Sequence, residues 1–426
     1  MRWQITTILL CAYGFLSDFT PSQPFSYQYE HTTLNISEHV LVSQVYPLWT
    51  YSYMPALIPA LLIADLVLYK PMIIFKSISY TAVWGLFVYG GSVFSQQVAL
   101  VFWGLSSAAE IAYFAYIYVK IPKEEFKKVT TYVRGALLLG RFVSYSAGQV
   151  LILLKWATFW SLNIISVIFV GLSLIFALSI PSVPWKTAYE RKIATKGIKE
   201  GTKSVDIAPT YRRFAILHFK TLIEDLRKAY GNAFMMKWSL WWALATCACF
   251  QVGNYVQALW GAVINVENVE VYNGVTEALC PLVALPAVLL TRYLEINWSK
   301  WGELCLAACS LLDFSILWAM SQADNLIIMY IGYMLYRLLY EAMITIAQFN
   351  LAYALENDSY GLIFGTNTFV ALVLQTTLTL VVTSPLGLAL PVRPQFQVYS
   401  GFHLLVSMIF ILPPLYRLIR KVKVLC

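Results

Sequence analysis

Charged residues are scarce in this sequence. Asp, Glu, Lys and Arg make up 12% of its 426 residues, whereas 59% are hydrophobic and the mean hydropathy is +0.65. Soluble globular domains carry about 25% charged residues. The composition therefore excludes a soluble globular protein and indicates a chain embedded in a membrane.

Histidine and cysteine are also too few and too scattered for a catalytic centre or a metal site. The sequence predicts all four histidines in loops or at span ends: His31, His39, His218 and His403. Cys247 and Cys249 share an apolar run without a second pair of ligands, so we expect no metal. No two cysteines fall in one outer loop, so we expect no disulfide framework. With no phosphate-binding glycine loop either, the sequence predicts neither an enzyme nor a cofactor.

Long apolar runs are what the sequence has in abundance. About 20 residues of helix cross the hydrocarbon core of a bilayer. Twelve runs approach or exceed this length, near 5–19, 42–66, 72–94, 96–119, 129–154, 159–181, 238–264, 271–294, 299–320, 326–354, 360–383 and 396–416. The first is short unless its helix continues through Pro21 and Pro24, a break that membrane helices tolerate where they line a cavity. We therefore predict an all-α integral membrane protein with twelve transmembrane helices.

One long polar stretch divides these runs into two sets of six. It predicts an N-terminal six-helix bundle over 1–181, a cytoplasmic linker over 182–237, and a C-terminal six-helix bundle with a short tail over 238–426. Residues 210–230 mix apolar and basic side chains in the pattern of an amphipathic helix on a membrane surface. We interpret this helix as a packing strut between the halves, with a regulatory or partner-binding surface as the alternative.

The basic residues indicate the orientation. With a cytoplasmic N-terminus, 25 of the 30 Lys and Arg residues, Lys76 among them, fall on the inner side, and only Lys155 and Arg393 fall in outer loops. Positive charge in short loops marks the cytoplasmic side, so both termini are predicted there. Asn35, in the sequon Asn35-Ile36-Ser37, then lies in the first outer loop and is a predicted glycosylation site. Because orientation accounts for the basic residues, we expect no nucleic-acid partner.

Glu110 is a carboxylate near the middle of the fourth run. An ionised acid at that depth costs about 3 kcal/mol or more unless it faces protein, water or a partner. Its neighbours on the helix include Ser106, Ser107 and Tyr113. A carboxylate beside hydroxyls and aromatic rings suits an organic cation, which the rings bind through cation–π attraction. The alternative is an acid that is protonated or neutralised by an arginine of a neighbouring helix.

Arginines inside the apolar runs need partners as well. Arg141 lies roughly 18 Å inside the fifth run, too deep for its guanidinium to reach the surface. We expect Glu110 to be its partner, and that pairing competes with the cation-site hypothesis. In the second half, Arg337 and Glu341 are four residues apart and are expected to pair. Charges at matching depth in two repeated bundles are typical of transporters.

Eight short stretches identify a resemblance that covers essentially the whole chain. They are CAYGF (11–15), YPLWTYSY (46–53), YKP (69–71), AAEIAY (108–113), WSLWWALAT (238–246), NYVQ (254–257), YNGVTEA (272–278) and GTNTF (365–369). The chain resembles the reduced folate carrier and thiamine transporter family, solute carrier family 19, a branch of the major facilitator superfamily. The resemblance implies the twelve-helix major facilitator fold, a plasma-membrane location and transport of a water-soluble vitamin by alternating access.

The resemblance also bears on the substrate. Folate-carrying members have an arginine at the position of Glu110 and a lysine at the position of Gln375, whereas this chain has an acid and an amide, as the thiamine carriers do. The implied thiamine site places the aminopyrimidine on Glu110 and Tyr113. Four more residues would complete that site, two by stacking on the rings and two from the second half: Tyr46, Trp49, Asn254 and Glu277.

Two departures from the family pattern leave a second substrate class open. The first-span motif of the family has Arg and Glu where this chain has Thr20 and Gln23. Arg141 stands where thiamine carriers have a stacking tyrosine, and Phe142 or Tyr145 is the candidate substitute. The added cation keeps folate or another organic anion, such as thiamine phosphate, as the alternative to thiamine. A receptor on the same fold that does not transport is the third hypothesis.

Overall fold

A computed structural model of the chain describes residues 3–64, 66–121, 125–186, 211–264, 271–291, 296–354 and 360–425. Every regular element in these ranges is a helix. The first half contains α1 (Trp3–Ser17), α2 (Pro47–Ile63), α3 (Lys70–Tyr89), α4 (Val93–Lys120), α5 (Phe126–Leu153) and α6 (Phe159–Ser179). After the linker helix α7 (Tyr211–Tyr230) come α8 (Ala233–Gly261), α9 (Asn273–Thr291), α10 (Trp298–Gln322), α11 (Leu326–Ala354), α12 (Tyr360–Val382) and α13 (Val392–Leu425).

The chain between α1 and α2, residues 23–45, forms what we call the outer segment. It consists of five short helical turns, Gln23–Phe25, Ser26–Gln28, Tyr29–Thr33, Glu38–Val40 and Leu41–Val45. Pro24 stands in the first of these turns, where its missing N–H costs nothing. The first apolar run is therefore a 15-residue helix that ends at Ser17 and is followed by a broken segment.

Eight of the described helices are long and apolar enough to cross a membrane: α3, α4, α5, α6, α10, α11, α12 and α13. The other four long helices, α1, α2, α8 and α9, coincide with the remaining predicted runs. Large apolar side chains are exposed on the outside of the bundles, among them Ile8, Ile168, Ile175, Leu312 and Leu412. Such a surface suits lipid rather than water. The all-helical membrane architecture is confirmed, and the count of twelve spans stays a prediction.

Each half has its own hydrophobic core. In the first half, Leu10 of α1, Ile73 of α3, Tyr116 of α4 and Val133 of α5 are fully buried together. In the second half, Trp238 and Trp241 of α8 pack with residues of α10 to α13, namely Leu306, Ala347, Ile363 and Val406. A further buried cluster joins the halves, since Tyr46 and Trp84 share it with Tyr255 and Trp260. The two cores that lie within one half support the division into bundles over 1–181 and 238–426, which we retain as a proposal.

The linker helix α7 touches both halves. The Tyr211 hydroxyl donates to the Leu66 carbonyl at 3.1 Å, and His218 Nε2 lies 3.0 Å from the Leu62 carbonyl, both just beyond or at the end of α2. At its other end, the Tyr230 hydroxyl donates to Asn367 Oδ1 of α12 at 2.7 Å. A helix that is hydrogen-bonded to the first half at one end and to the second half at the other is what we expect of a packing strut between the halves. The remaining basic part of the predicted linker, residues 187–210, lies outside the described residues.

The two halves meet through α2 with α12 and through α5 with α9. Two glycines allow their close approach. A Cβ on Gly274 of α9 would lie 2.9 Å from both the Gln149 Cβ and the Tyr145 carbonyl oxygen of α5. A Cβ on Gly261 of α8 would collide with the ring of Tyr27 in the outer segment. Larger residues at these positions would hold the halves apart.

Candidate functional site

Glu110 is paired with a lysine of its own half. Lys76 Nζ donates to Glu110 Oε1 at 3.0 Å, from α3 to α4. The lysine side chain is 5% exposed and the glutamate side chain 33% exposed. The expectation that Lys76 belongs to the inner surface is therefore wrong. It lies in the second turn of α3, where burial requires a carboxylate partner.

Arg141 has a different partner from the one expected. Its Nε donates to Asp18 Oδ2 at 2.7 Å, so the predicted Glu110–Arg141 pair is wrong. The reason is the packing of α5 on α1. Gly140 has no side chain, and a Cβ there would lie 2.5 Å from the Phe15 carbonyl oxygen. This contact brings Arg141 beside the end of α1, and Asp18, to which the sequence assigned no role, is the nearest acid.

The second half contributes a further ion pair to this region, together with an acid that has no such partner among the described residues. Arg337 Nη2 lies 3.1 Å from Glu341 Oε1, which confirms the predicted pairing along α11. Glu277 of α9 forms no ion pair among the described residues. It lies within electrostatic range of Arg141 from one half and Arg337 from the other. Glu277 therefore stands where charges of the two halves converge.

Several members of these pairs keep accessible surface at mid-helix depth. The side chain of Arg141 is 45% exposed, that of Glu341 39% and that of Arg337 27%. Two of them, Arg141 of the first half and Arg337 of the second, lie within electrostatic range of Glu277. Charged groups are tolerated at this depth in a membrane protein when they face one another or a water-filled cavity.

An aromatic cluster from both halves adjoins Glu110. The Trp49 ring of α2 meets the Phe250 ring of α8 edge-on at 5.6 Å between centroids, and Tyr53 lies 5.5 Å from Trp49. Trp49 Nε1 donates to Ser107 Oγ, one helical turn before Glu110. Sequence reasoning selected Trp49 and missed Tyr53 and Phe250. Tyr53 is four residues after Trp49 and shares its helix face, which was the available signal.

The two candidate tyrosines are buried in this conformation. Tyr113 is fully buried, and its hydroxyl donates to the Leu10 carbonyl at 2.7 Å while Lys76 Nζ lies 5.8 Å from its ring centroid. Tyr46 is 8% exposed, and its hydroxyl donates to Glu30 Oε2 at 2.8 Å. Neither ring presents an open face to a ligand, so Tyr113 and Tyr46 are separated here from the accessible charges.

The two candidate amides differ in their bonding. Asn254 Nδ2 of α8 donates to the Tyr46 carbonyl at 3.2 Å and so joins the halves. Gln375 of α12 is fully buried, and neither polar atom of its amide finds a hydrogen-bond partner among the described residues. One turn along α12, Thr379 bonds Gln251 of α8 at 3.0 Å. Gln375 thus adjoins a satisfied polar contact between α8 and α12 without joining it.

A network of hydrogen bonds joins the halves at the end that contains the outer segment, and we call it the outer contact. Gln149 of α5 donates to the Val271 carbonyl at 2.6 Å and accepts from the Gly274 backbone N–H at 2.9 Å. Asn273 Nδ2 donates to the Pro24 carbonyl at 3.1 Å. Gln257 Nε2 donates to the Gln23 carbonyl at 3.0 Å.

The residues that replace the charged first-span motif are bonded to each other. Thr20 Oγ1 donates to Gln23 Oε1 at 3.0 Å, and the Tyr145 hydroxyl donates to the same oxygen at 2.9 Å. Tyr145, one candidate for the missing stacking tyrosine, is therefore committed to Gln23 and is 5% exposed. Asn35, the sequon residue, is exposed on the outer segment with φ 54°, a conformation that asparagine tolerates.

A buried Asp–His pair lies in the second half. His403 Nδ1 is 3.6 Å from Asp313 Oδ2, and the Tyr336 hydroxyl lies 3.2 Å from His403 Nε2. The expectation that His403 stands at a span end is wrong, since it lies inside α13 and is 2% exposed. Tyr336 is the hydrogen-bond partner of His403 Nε2, whereas His403 Nδ1 and Asp313 Oδ1 have no hydrogen-bond partner among the described residues.

Comparison with known proteins agrees with this architecture. The family model described as "Reduced folate carrier" matches residues 1–398. The chain is 46% identical to Folate-like transporter 2 of Caenorhabditis elegans over 406 residues, 95% of each chain. It is 34% identical to human Thiamine transporter 1 over 443 residues, 96% of this chain and 89% of the relative. A crystal structure of a POT family transporter shares the fold with a TM-score of 0.66 at 12% identity, covering 95% of each chain. The chain therefore belongs to the reduced folate carrier family, a family of membrane transporters with the major facilitator fold.

Proposed function

We propose that this member of the family carries thiamine, or a closely similar organic cation, by alternating access. The observation that carries the proposal is the charge balance between the halves. Lys76 with Glu110, Arg141 with Asp18, and Arg337 with Glu341 form three ion pairs. Glu277 is the remaining acid, so the set has a net charge of one negative unit. A cationic substrate would neutralise it, whereas an anionic substrate would add a second uncompensated charge.

The aromatic cluster supports the same substrate class. Trp49, Tyr53 and Phe250 lie side by side, and Trp49 is tethered to Ser107, one turn from Glu110. A flat heteroaromatic cation gains stacking and cation–π energy from such rings, about 0.5–2 kcal/mol for each contact. Lys76 contacts a single oxygen of Glu110, and the acid keeps a third of its surface. Substrate and lysine would share this carboxylate.

The conformation fits one step of an alternating-access cycle. At the outer end, the halves are joined by the outer contact and by the close approaches at Gly261 and Gly274. At the inner end, α7 and the packing of α2 on α12 join them along one side. We infer a carrier whose outer end is closed. Transport would require the hydrogen bonds of the outer contact to break, because they join the two halves. The three ion pairs would persist, because each of them joins two residues of the same half.

The anion alternative rests on a specific observation. Arg141 keeps 45% of its side-chain surface although Asp18 accepts from its Nε, and within the described part of the chain its other guanidinium donors have no hydrogen-bond partner, so they are available to a carboxylate or phosphate. The relative with folate in its name is also the more similar of the two at 46% identity. Folate or thiamine phosphate is therefore the second candidate.

Location and orientation belong to the same proposal. The charge asymmetry supports cytoplasmic termini, and Asn35 is exposed on the outer segment, where a glycan would be accommodated. We propose the plasma membrane as the site of function. Enzymatic deglycosylation of the protein from intact cells, compared between wild type and Asn35→Gln, tests the orientation. An unchanged electrophoretic shift in the variant would place the glycan elsewhere.

Uptake assays separate the functional candidates. Cells expressing the chain are given labelled thiamine or labelled folate, each with an excess of the other vitamin as competitor. The proposal expects saturable thiamine uptake that folate does not inhibit. Saturable folate uptake with no thiamine uptake would establish the anion alternative. Binding of either vitamin to the purified protein with no uptake into cells or proteoliposomes would indicate a receptor.

A further inference from the structure

Three helices of the second half share a charged cluster at one end. Lys237 of α8 lies with its Nζ 3.3 Å from Glu303 Oε1 of α10. Arg417 of α13 contacts both oxygens of the same carboxylate. The Glu303 side chain is 11% exposed, so one buried acid serves two cations from two other helices.

The cluster has more donors than its acid can use. A lysine ammonium has three N–H donors and an arginine guanidinium has five, whereas Glu303 offers two oxygens. Arg417 is 55% exposed and Lys237 18% exposed, so the guanidinium in particular keeps donors directed away from the acid. The three groups together carry one positive charge. An anionic oxygen group at this point would use these donors and balance that charge.

An apolar groove begins at the charged cluster and runs along the bundle. It is lined by Phe234 and Leu240 of α8 and by Ile409, Phe410 and Pro413 of α13. Leu240 is 43% exposed, so the groove opens on the outer surface of the bundle, where lipid chains would lie. A charged head and an apolar channel in continuity match the two parts of a phospholipid, a phosphate headgroup and an acyl chain.

The position along the helices corresponds to the headgroup level. α8 begins at Ala233 and α10 at Trp298, so Lys237 and Glu303 lie within the first two turns of their helices. Trp301 and Tyr416 are exposed beside the cluster, at 50% and 67%, and such aromatics favour the membrane interface. The charge asymmetry of the chain assigns this end to the cytoplasmic leaflet, which is the leaflet that carries anionic lipids.

We propose that Lys237, Glu303 and Arg417, with the groove beneath them, form a binding site for an anionic phospholipid of the cytoplasmic leaflet. The lipid phosphate would bind Arg417 and Lys237, and one acyl chain would occupy the groove between α8 and α13. Because α8 also carries Phe250 and Asn254, the lipid would stabilise the helix that connects this surface to the candidate substrate site. The proposal does not depend on which vitamin is carried.

Lipid binding to the purified full-length protein tests the site. Native mass spectrometry measures the affinity for phosphatidylglycerol, with phosphatidylcholine of the same chains and inorganic phosphate as comparison ligands. The wild type should bind phosphatidylglycerol in preference to the zwitterionic lipid. Arg417→Gln and Lys237→Gln should each lower that affinity about fivefold, the effect of one basic residue near an anionic headgroup. The matched control is Arg393→Gln, an arginine at the opposite end of α13 that pairs with Asp324 and should have no effect.

Glu303→Gln distinguishes a lipid site from a purely structural ion cluster. Removing the acid frees both cations, so phosphatidylglycerol affinity should be maintained or increased. A purely structural cluster would lose lipid binding in Glu303→Gln and Arg417→Gln alike, and that result would overturn the proposal. Equal affinity for the two lipids, or an equal response to inorganic phosphate alone, would also overturn it. If Arg417→Gln does not fold, photoreactive phosphatidylglycerol on the wild type decides: cross-links within α8 and α13 support the site, and cross-links elsewhere reject it.

Discussion

Lys76 Nζ and Glu110 Oε1 lie 3.0 Å apart, and the lysine is the more deeply buried of the two. The candidate acid of the first half is thus already engaged by a cation that belongs to the protein. A cationic substrate must compete with Lys76 for Glu110 or bind the oxygen that Lys76 leaves free. The substrate affinity at Glu110 therefore depends on the difference between two similar interactions, that of Glu110 with the substrate and that of Glu110 with Lys76. A small difference keeps substrate binding reversible.

Replacing Lys76 should strengthen cation binding and weaken the fold. Lys76→Met removes the competitor, so the apparent affinity for thiamine should rise. Breaking a buried ion pair by removing one partner costs about 3–5 kcal/mol, and we expect a smaller loss because Glu110 is a third exposed. Binding calorimetry and thermal unfolding measure the two effects. The double variant Lys76→Met/Glu110→Gln should recover stability and lose the gain in affinity. Weaker thiamine binding in Lys76→Met would contradict this account.

Glu277 should affect affinity without affecting stability. It has no ion-pair partner among the described residues, so Glu277→Gln should leave the unfolding temperature nearly unchanged. Thiamine affinity should fall by about 2–5 kcal/mol, the range for a desolvated charge partner. The matched control is Glu341→Gln in the same half, which leaves Arg337 unpaired and should lower stability. Wild-type thiamine affinity in Glu277→Gln would remove this residue from the site.

Arg141 separates the two substrate classes once its true partner is considered. Arg141→Tyr alone leaves the buried Asp18 uncompensated, so the informative variant is Arg141→Tyr/Asp18→Asn, which preserves the net charge. Thiamine transport predicts that this double variant retains uptake of labelled thiamine. Folate transport predicts that it loses folate uptake, because the free donors of Arg141 are gone. The thiamine proposal would be refuted if the wild type transports folate but not thiamine and the double variant loses all folate uptake.

The outer contact should set the balance between conformations. Gln149→Leu removes three hydrogen bonds between α5 and the start of α9, each worth about 0.5–1.5 kcal/mol. The population with an open outer end should therefore increase. Spin labels at Trp156 and Leu388, exposed beyond α5 and α12, report the distance between the halves. The control is Gln97→Leu, which removes a bond to the Gln44 carbonyl within the first half. Equal distance distributions in both variants would assign no gating role to Gln149.

Glu30 should make stability depend on pH. It lies fully buried in the outer segment, and burial raises its pKa to about 8, while the Tyr46 hydrogen bond opposes the rise. Between about pH 4.5, the ordinary value, and pH 8, the folded protein retains a proton that the unfolded chain releases. Stability should therefore decrease as pH rises through this window, by up to about 1.4 kcal/mol per pH unit. Thermal unfolding from pH 5 to pH 8 should show a flatter profile in Glu30→Gln, and an identical slope would contradict the assignment.

The helices were predictable from the sequence, and the pairing of charges was not. Lipid forces every apolar run of sufficient length into a helix, so the runs near 72–94 and 159–181 correspond to α3 and α6. Which charges meet depends on which helices are neighbours. Arg141 meets Asp18 because Gly140 lets α5 approach α1, and neither the hydropathy nor the spacing of one sequence contains that contact.

The aromatic part of the candidate site shows the same limit. The chain has 28 Tyr, 24 Phe and 14 Trp residues, so aromatic content by itself does not mark a site. Trp49 was identified through a motif, whereas Phe250 was missed because its partner lies on the other half of the chain. The Arg337–Glu341 pair was predictable because both residues lie on one helix, four positions apart.

The two glycines at which the halves approach closely, Gly261 and Gly274, have a consequence for permeability. At Gly274 the backbone of α9 lies directly against α5, and at Gly261 the backbone of α8 lies against the Tyr27 ring. Because glycine has no side chain, the seal at these two positions contains no side chain of residue 261 or 274 whose rotation would open a path for water. Small ions and protons would thus be prevented from leaking through the carrier while its opposite end is open. A membrane that contains many copies of this protein would then maintain its membrane potential.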